Sequence, residues 1–423
     1  MMDTPMSDNL RVDGARLWQS LMAMAEIGAT ERGGSRRVAF TQQDRAGREL
    51  FRRWCEEANL TLAVDGFGNM FARRAGRSDK APVMIGSHLD TQPTGGRFDG
   101  VLGVLAALEL VRTLDDAGIV TERAIEIVNW TNEEGAIFRP MMGSDVFTGR
   151  LPLEEAYAMT HPDGWTLREG LEAIGYLGQA EPRLTRPQAY FEAHIEQGPV
   201  LEAEDVTIGV VTDGIAFRRY AVVIEGQEAH AGPTPMALRR DAMLGAAELT
   251  LAATALAHTV EGARATVGCL TPYPGSPNTV AGRVDMTLDL RHVEEDVLDR
   301  LEAEIRDQLD AIAGRLSLSC RIERTMTSPR IGFHPALVDS VERAAAGLGL
   351  THRRIVSGAG HDACNIARTV PTALIFIPCE NSISHNEAEN ATPDHCEAGA
   401  NVLLHAVLAA AESVDELEWP AGR

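Results

Sequence analysis

Residues 86–100 read GSHLDTQPTGGRFDG, a turn holding one imidazole and two carboxylates (His88, Asp90, Asp99) among four glycines and a proline. The apolar run Val83-Met84-Ile85 before it suits a buried strand. After it, VLGVLAALELVRTL repeats Leu102, Leu105, Leu108 and Val111 at helical spacing. Strand-to-helix turns at the carboxyl ends of strands are where open α/β sheets place their ligands. Imidazole and carboxylate together are donors that divalent cations accept. The stretch reads as a metal-ligand turn whose glycines let backbone and ion approach.

Residues of the same types stand at comparable places further on. Glu133 and Glu134 follow the apolar stretch 124–131 in WTNEEG, His194 ends YFEAH, and His385 lies in ENSISHNEAE beyond the buried-strand sequence TALIFIP. Taken singly each is weak, because Asp-Gly pairs are ordinary turn chemistry and most of the 12 histidines must serve elsewhere. Joint placement after apolar strands, beside glycine, singles these out. If those four strand ends meet in one crevice, they offer mixed nitrogen and oxygen ligands for two divalent ions, and zinc, manganese, cobalt and nickel all tolerate such a set. Glu192 and Glu196 share the strand face of His194 at period two, so spacing leaves open which of the three would bind.

The elements that must position these residues alternate between helix and strand. DRAGRELFRRWCEEANL is amphipathic, TLAVDGFGNMFARRAG reads as a hairpin turning at Gly66 and Gly68, and strands over 82–87, 124–131 and 189–198 accompany a helix over 101–114. Residues 150–188 are polar and proline-punctuated, and are expected to cross the surface in short helices. Near Gly214 the character changes. RRYAVVIEGQ, ARATVGCLT, NTVAGRVDMTLDLRH and LSLSCRIERT read as strands, with MALRRDAMLGAAELTLAATALAH and EEDVLDRLEAEIRDQLDAIAGR as helices, in the order βαββαβ. That order predicts a four-stranded antiparallel sheet with two helices on one face. It spans 215–328 and is inserted between α/β segments 1–214 and 329–423. A second domain also suits a chain of 423 residues, which exceeds one comfortable core.

Composition narrows the partners. A formal charge of −22 repels nucleic-acid phosphates and anionic membrane surfaces alike. No run of about 18 apolar residues occurs, the N-terminal stretch lacks the apolar centre of a signal peptide, and six cysteines without a CxxC read as reduced thiols. The expectation is a cytoplasmic protein without nucleic-acid or membrane partners.

Six motifs, GSHLDTQPTGGRFDG, NEEG, HIEQGPVLE, HAGPTPM, PNTVAGRV and SGAGHDA, follow one another within residues 15–415. With them the chain resembles the dinuclear metallohydrolases of the aminoacylase/carboxypeptidase clan. More narrowly it resembles the ureido- and amidino-hydrolase branch: N-carbamoyl-L-amino acid hydrolases, β-ureidopropionases and allantoate amidohydrolases. The resemblance implies an α/β mixed-sheet catalytic domain, with the inserted ferredoxin-like segment as lid and dimerisation domain. It implies two divalent ions, the first held by His88, Asp99 and His194. Asp99 bridges to the second, completed by Glu134 and His385. Glu192 and Glu196 then become supporting groups. Glu133 matches the general base, and Asp90 is expected to accept a hydrogen bond from the other ring nitrogen of His88 and so fix its tautomer. His230 in EAHAGPTP matches a donor to the tetrahedral oxyanion.

Substrate contacts follow from the same resemblance. Arg291 would grip a carboxylate with two parallel bonds, Asn278 and Gln197 would add amide contacts, and Gly360 in SGAGHDA would offer backbone groups. Arg218 in AFRRY joins this set, although Arg219 is its neighbour and strand alternation sends only one of them inward. His361 and Asp362 could instead cap the following helix. The expected reaction is hydrolysis of the ureido C–N bond of an N-carbamoyl-L-amino acid to the amino acid, CO2 and ammonia. β-Ureidopropionase or allantoate amidohydrolase activity is the alternative, and a dinuclear aminopeptidase or deacylase a more distant one. The expected assembly is a homodimer through the inserted domain, with His230 reaching the partner's site. FRPMMGS after NEEG departs from the family's commoner version, with Arg139 where a smaller residue is usual, and points to a reshaped pocket.

Overall fold

A computed structural model of the chain describes residues 9–179, 186–413 and 417; residues 1–8 of the N-terminal stretch and 180–185 of the proline-punctuated region lie outside the described residues. Two compact units emerge, Met1–Asp213 with Gly332–Arg423, and Gly214–Ile331. Strands β1 (Thr61–Val64), β2 (Met70–Arg74), β3 (Val83–His88), β4 (Ile125–Trp130), β5 (Ala189–Ile195) and β6 (Ile208–Gly214) precede the second unit. Within it run β7 (Ala216–Glu225), β8 (Ala229–His230), β9 (Arg264–Thr266), β10 (Leu270–Tyr273), β11 (Thr279–Val280), β12 (Arg283–His292) and β13 (Ser319–Ser328). Then come β14 (Ile331–Gly332), β15 (His352–Ser357) and β16 (Thr372–Ile377).

The first unit is built on a nine-stranded sheet ordered β1-β2-β4-β3-β5-β16-β6-β14, with β15 also paired to β6. Its centre, β4-β3-β5-β16, is parallel, while β1 pairs β2, β2 pairs β4 and β6 pairs β16 antiparallel. The sheet is therefore mixed. All four central strands are buried at every position, as strands covered on both faces must be. The helix Val101–Asp116, buried through nearly its whole circumference, packs against β3 and the helix Pro393–Glu412. Parallel neighbours end on the same side, so the carboxyl ends of β4, β3, β5 and β16 stand side by side. The short strands β6 and β15 were not foreseen from the sequence pattern.

In the second unit the sheet runs β10-β12-β7-β13 antiparallel, with β9 beside β12. ARATVGCLT is not one strand. Thr266 faces Asp289 but Leu270 faces Met286, so the edge side carries one extra residue and a bulge splits it into β9 and β10. The helix before it, Ala242–His258, begins at Ala242 rather than within MALRR, because the Asp241 carboxylate accepts the N–H groups of Met243 and Leu244 and caps it there. Burial alternates along β7 and β12, and Tyr220, Val222, Ile224, Val284, Met286 and Leu288 form one core with Leu298, Leu301 and Ile305 of the helix Glu295–Leu316. β8 and β11 pair separately and set Thr279 opposite His230. No helix among the described residues is long and apolar enough to cross a membrane.

One buried carboxylate ties that sheet to its helix. Glu302 accepts the Tyr220 hydroxyl at 2.7 Å and Arg306 at 2.9 Å, and also meets Arg218 and Arg324. Burial alone would raise its pKa, but the bonds from Tyr220, Arg306 and Arg324 hold it down at about 2. A carboxylate with a depressed folded-state pKa adds stability above its unfolded value of 4.5 and loses it as pH falls through about 2. Glu302→Gln should cost about 2 kcal/mol at pH 7, the size of a lost hydrogen bond to a charged group. Thermal melts of both proteins should differ by a constant amount above pH ~5 and converge as pH falls through ~2, below which that carboxylate is protonated in both states.

Candidate metal centre

β3 ends on His88, and the chain turns through Asp90 to Asp99 and Gly100, where the helix Val101–Asp116 begins. Gly100 adopts φ 66°, and a Cβ there would collide with the His88 ring. Only glycine fits beneath that imidazole. Asp99 Oδ1 lies 3.1 Å from His194 Nε2 and 3.4 Å from His88 Nε2. Its Oδ2 faces His385 Nε2 at 3.6 Å, and that nitrogen is 3.2 Å from Glu134 Oε2. Two donor groups result, His88–Asp99–His194 and Asp99–Glu134–His385, the ligand atoms of each within 4.8 Å of one another.

The donor chemistry tests whether cations fit. His88 Nδ1 donates to the Asp90 carbonyl at 3.0 Å and His194 Nδ1 to the Ile195 carbonyl at 2.9 Å. Both rings therefore turn an Nε2 lone pair toward Asp99 Oδ1. The Gly100 N–H, 3.1 Å from His194 Nε2, agrees with that tautomer. Lone pair facing carboxylate is repulsive unless positive charge lies between them. The electrostatics agree: burial disfavours the imidazolium of His88, yet Glu133, Asp99 and Asp90 outweigh it and, unless another cation lies between them, draw a proton to the ring and hold its pKa well above the ordinary value. Burial would raise the Asp99 pKa, but His194 and His88 drive it well below the carboxylate range. The site demands positive charge, and the residues fit it.

Glu133 Oε2 stands 3.4 Å from His88 Nε2. Burial, with Asp362, Glu134 and Asp99 close by, pushes its pKa well up despite His88. Asp90 differs from the expectation. The carbonyl of Asp90, not its carboxylate, takes the His88 Nδ1–H; the carboxylate accepts the N–H groups of Glu133 (3.3 Å) and Glu134 (3.2 Å) instead. The turn brings the carbonyl back over the ring and leaves the side chain aimed at the neighbouring loop. Asp90 thereby fixes ligand and base together. Glu192 accepts bonds from Ser87 Oγ and the Ala363 N–H, and Glu196 accepts those of Val200 and Leu201, so both are occupied as supports while His194 faces Asp99.

Gln197 sits beside the centre, its Nε2 2.6 Å from Asp99 Oδ2 and its Oε1 buried without a partner among the described residues. Gly360 is exposed between β15 and the helix Asp362–Ile366, and a Cβ there would press the Met141 thioether at 3.1–3.3 Å. His361 occupies the N-cap of that helix without a side-chain capping bond; its ring packs on His194 at 4.5 Å and on Phe376 at 5.3 Å. Arg139 turns onto Asp145 at 2.8 Å, away from the ligands.

In the second unit His230 and Asn278 are neighbours: β8 pairs β11, and the Ala231 N–H donates to the Asn278 carbonyl. Arg291 lies on the helix-free face of the sheet, bonded to Asp289 and over the Phe217 ring. Arg218 does not. It is on the helix-covered face, buried between Asp299 (2.7 Å) and Glu302 (3.3 Å), because Arg218, Tyr220 and Val222 share the core phase of β7. The arginine on the face of Arg291 is Arg219, bonded to Asp289.

Sequence reasoning missed several supports. The buried Arg37 guanidinium donates to the Leu89 carbonyl and the Arg37 backbone N–H to Thr91 Oγ1, locking the turn after His88. Ser384 and Glu389 reach Asp99. Met141, in the left-handed region at φ 56°, donates its N–H to the Glu133 carbonyl, and its side chain lies against Gly360.

Comparison with known proteins agrees with the geometry. The profile of peptidase family M20/M25/M40 matches residues 84–409. The N-carbamoyl-L-amino-acid amidohydrolase of Rhizobium meliloti is 47% identical over 411 residues, 96% of this chain and 99% of that protein. The N-carbamoyl-L-amino acid amidohydrolase of Geobacillus stearothermophilus is 37% identical, covering 94% of this chain and 98% of its own. The crystal structure of a hydantoinase/carbamoylase-family amidase from Burkholderia multivorans is similar at a TM-score of 0.89 and 50% identity, covering 96% of this chain and 99% of that one. On a match that spans most of its length, and on relatives matched end to end, the chain belongs to peptidase family M20/M25/M40.

Proposed function

We propose that this chain is a metal-dependent amidohydrolase that cleaves the ureido C–N bond of N-carbamoyl-L-amino acids, with one water consumed and the amino acid, CO2 and ammonia released. One observation carries the reading: two donor groups share Asp99 with a carboxylate, Glu133, poised beside them, in a chain 47% identical to an N-carbamoyl-L-amino-acid amidohydrolase. Two divalent ions of the zinc, manganese, cobalt or nickel class would be held, one by His88, Asp99 and His194 and the other by Asp99, Glu134 and His385. When bound they supply Lewis acidity, which a ureido carbonyl deactivated by two nitrogens needs, and they lower the pKa of water. Glu133 takes the proton of the attacking water and delivers it to the departing nitrogen. Asp90 holds Glu133 and Glu134 by their backbone N–H groups. The unpartnered Gln197 Oε1 accepts a ureido N–H, and Gly360 contributes backbone groups at the rim.

The second unit supplies the remaining contacts in this reading. His230 Nδ1 accepts the Gly232 N–H at 3.1 Å, so Nε2 carries the proton and can donate to the oxyanion. Asn278 and Arg291 take the substrate carboxylate. A homodimer through this unit is supported by its exposed apolar side chains: Met236, Leu238, Leu244, Leu251, Leu270, Tyr273 and Met326 stand against Val120 alone in the first unit among the described residues. The sheet edges β10 and β13 would also gain cover by pairing. The small ureido acid is the partner, with no nucleic acid or membrane, and six unpaired cysteines support a cytoplasmic setting.

A kinetic panel tests the substrate. N-carbamoyl-L-α-amino acids should be turned over faster than N-carbamoyl-β-alanine, allantoate or a dipeptide; a dipeptide preference would overturn the reading. Dialysis against chelator should abolish turnover, and zinc, manganese, cobalt or nickel should restore it. Glu133→Gln should keep its metal and lose about a hundred- to ten-thousand-fold in kcat, whereas Asp99→Ala should lose the metal itself by elemental analysis. Mixing inactive His230→Ala subunits with inactive Glu133→Gln subunits should regenerate activity once tagged subunits exchange. Exchange without recovery would place His230 in its own subunit's site or outside catalysis.

A further inference from the structure

Asp99 must offer one oxygen to each donor group, and a carboxylate free to rotate about its Cβ–Cγ bond cannot hold that division. Ser384 Oγ lies 2.9 Å from Asp99 Oδ2, on the oxygen that faces Glu134 and His385. Behind it, Glu389 Oε2 lies 3.0 Å from the same hydroxyl, while Glu389 Oε1 accepts the backbone N–H groups of Phe98 (3.0 Å) and Asp99 (3.1 Å). One side chain thus grips the backbone of the bridging residue with one oxygen, while its other oxygen and Asp99 Oδ2 flank the single hydroxyl of Ser384.

Three features set this apart from ordinary turn bonding. Glu389 is only 1% exposed and lies against another carboxylate, an arrangement that costs several kcal/mol where nothing compensates it. The ligand turn leaves space for it, since a Cβ on Gly96 would strike the Glu389 carboxylate. Residues 380–390 also form a closed loop, the Glu380 N–H donating to the Asn390 carbonyl at 2.8 Å, and that loop carries His385. Glu389 therefore joins two ligand-bearing loops that lie far apart in the chain.

We infer that Ser384 and Glu389 are positioning residues that set the Asp99–Glu134–His385 site, by fixing Asp99 Oδ2 and docking the His385 loop onto the metal-ligand turn. The inference rests on the two-ion reading. Hydrogen bonds, rather than charge, do the positioning. A glutamine at 389 can accept both N–H groups through its Oε1 and donate through Nε2 to Ser384, whose hydrogen then points at Asp99.

Zinc titrated calorimetrically into chelator-stripped protein tests it, with His385→Ala as the reference for loss of this site. Wild type should bind two ions per chain. Ser384→Ala and Glu389→Ala should bind one ion as wild type does and the other about 10- to 100-fold more weakly, the usual range for lost partners of metal ligands. Glu389→Gln should restore wild-type binding. Ser384→Ala removes only a half-buried hydroxyl, so it decides the matter alone if Glu389→Ala does not fold. Two unchanged affinities in Ser384→Ala and Glu389→Ala would overturn the inference, as would a Glu389→Gln protein as weak as Glu389→Ala. Fewer than two ions in wild type would overturn the two-ion reading together with it.

Discussion

A carboxylate buried with two imidazole lone pairs aimed at it is the constraint around which the first unit is organised. Asp99 is 4% exposed, faces His88 and His194 through one oxygen, and has Glu134 and His385 beyond the other. The helix Val101–Asp116 begins just after it, and a helix N-terminus favours an anion by at most about 2 kcal/mol. Burying each ionised group costs several kcal/mol even after relaxation. Helix dipole and backbone bonds are therefore too weak to stabilise the cluster, and cations decide the balance. Everything nearby serves to hold ligands still while those cations are accommodated: buried parallel strands, a glycine under the His88 ring, and an arginine clamped across the turn.

Loops around the strands bear the conformational cost of this. Asn132, Gln197 and His385 all lie in the left-handed region, at φ 56°, 56° and 52°, where a non-glycine residue is disfavoured by about 1–3 kcal/mol. Each flanks or is a group assigned to the centre. The strands could not supply such side-chain directions, because successive residues of a strand alternate across the sheet. Four central strands instead supply fixed anchor points, and short strained turns aim Glu133, Glu134 and His385 back over them.

What was legible in the sequence follows from distance along the chain. His88 and His194 lie in strands, and Asp99 stands next to a helix start, so periodicity and glycine placement located them; the resemblance sorted their roles. Ser384 and Glu389 were not legible, since their bonds to Phe98 and Asp99 span some 285 to 291 residues and leave no local pattern. The choice between Arg218 and Arg219 failed for a different reason. Alternation says that one faces inward but not whether inward means helix or ligand, and the core phase of β7 put Arg218 under the helix. The bulge between β9 and β10 and the two-residue strands β8 and β11 fall below what apolar periodicity can register. Asp90 was assigned the correct neighbour through the wrong atom, a distinction that depends on backbone direction alone.

Charge then raises a question for an anionic substrate. The chain carries a formal −22, yet a ureido acid must approach with its own carboxylate. Long-range repulsion is weak, since screening in physiological salt acts over about 8 Å. Close in, the balance is local. In the proposed two-ion reading, two divalent ions would bring as much positive charge as Asp90, Asp99, Glu133 and Glu134 bring negative, and buried Asp362 is held toward its neutral form by burial and by Glu192. A centre so loaded would be near neutrality, and in that reading the neutral ureido group rather than the carboxylate belongs over the ions. The carboxylate requires cations elsewhere. Neither Arg139, turned onto Asp145, nor Arg37, sealed in the core, is free to meet it.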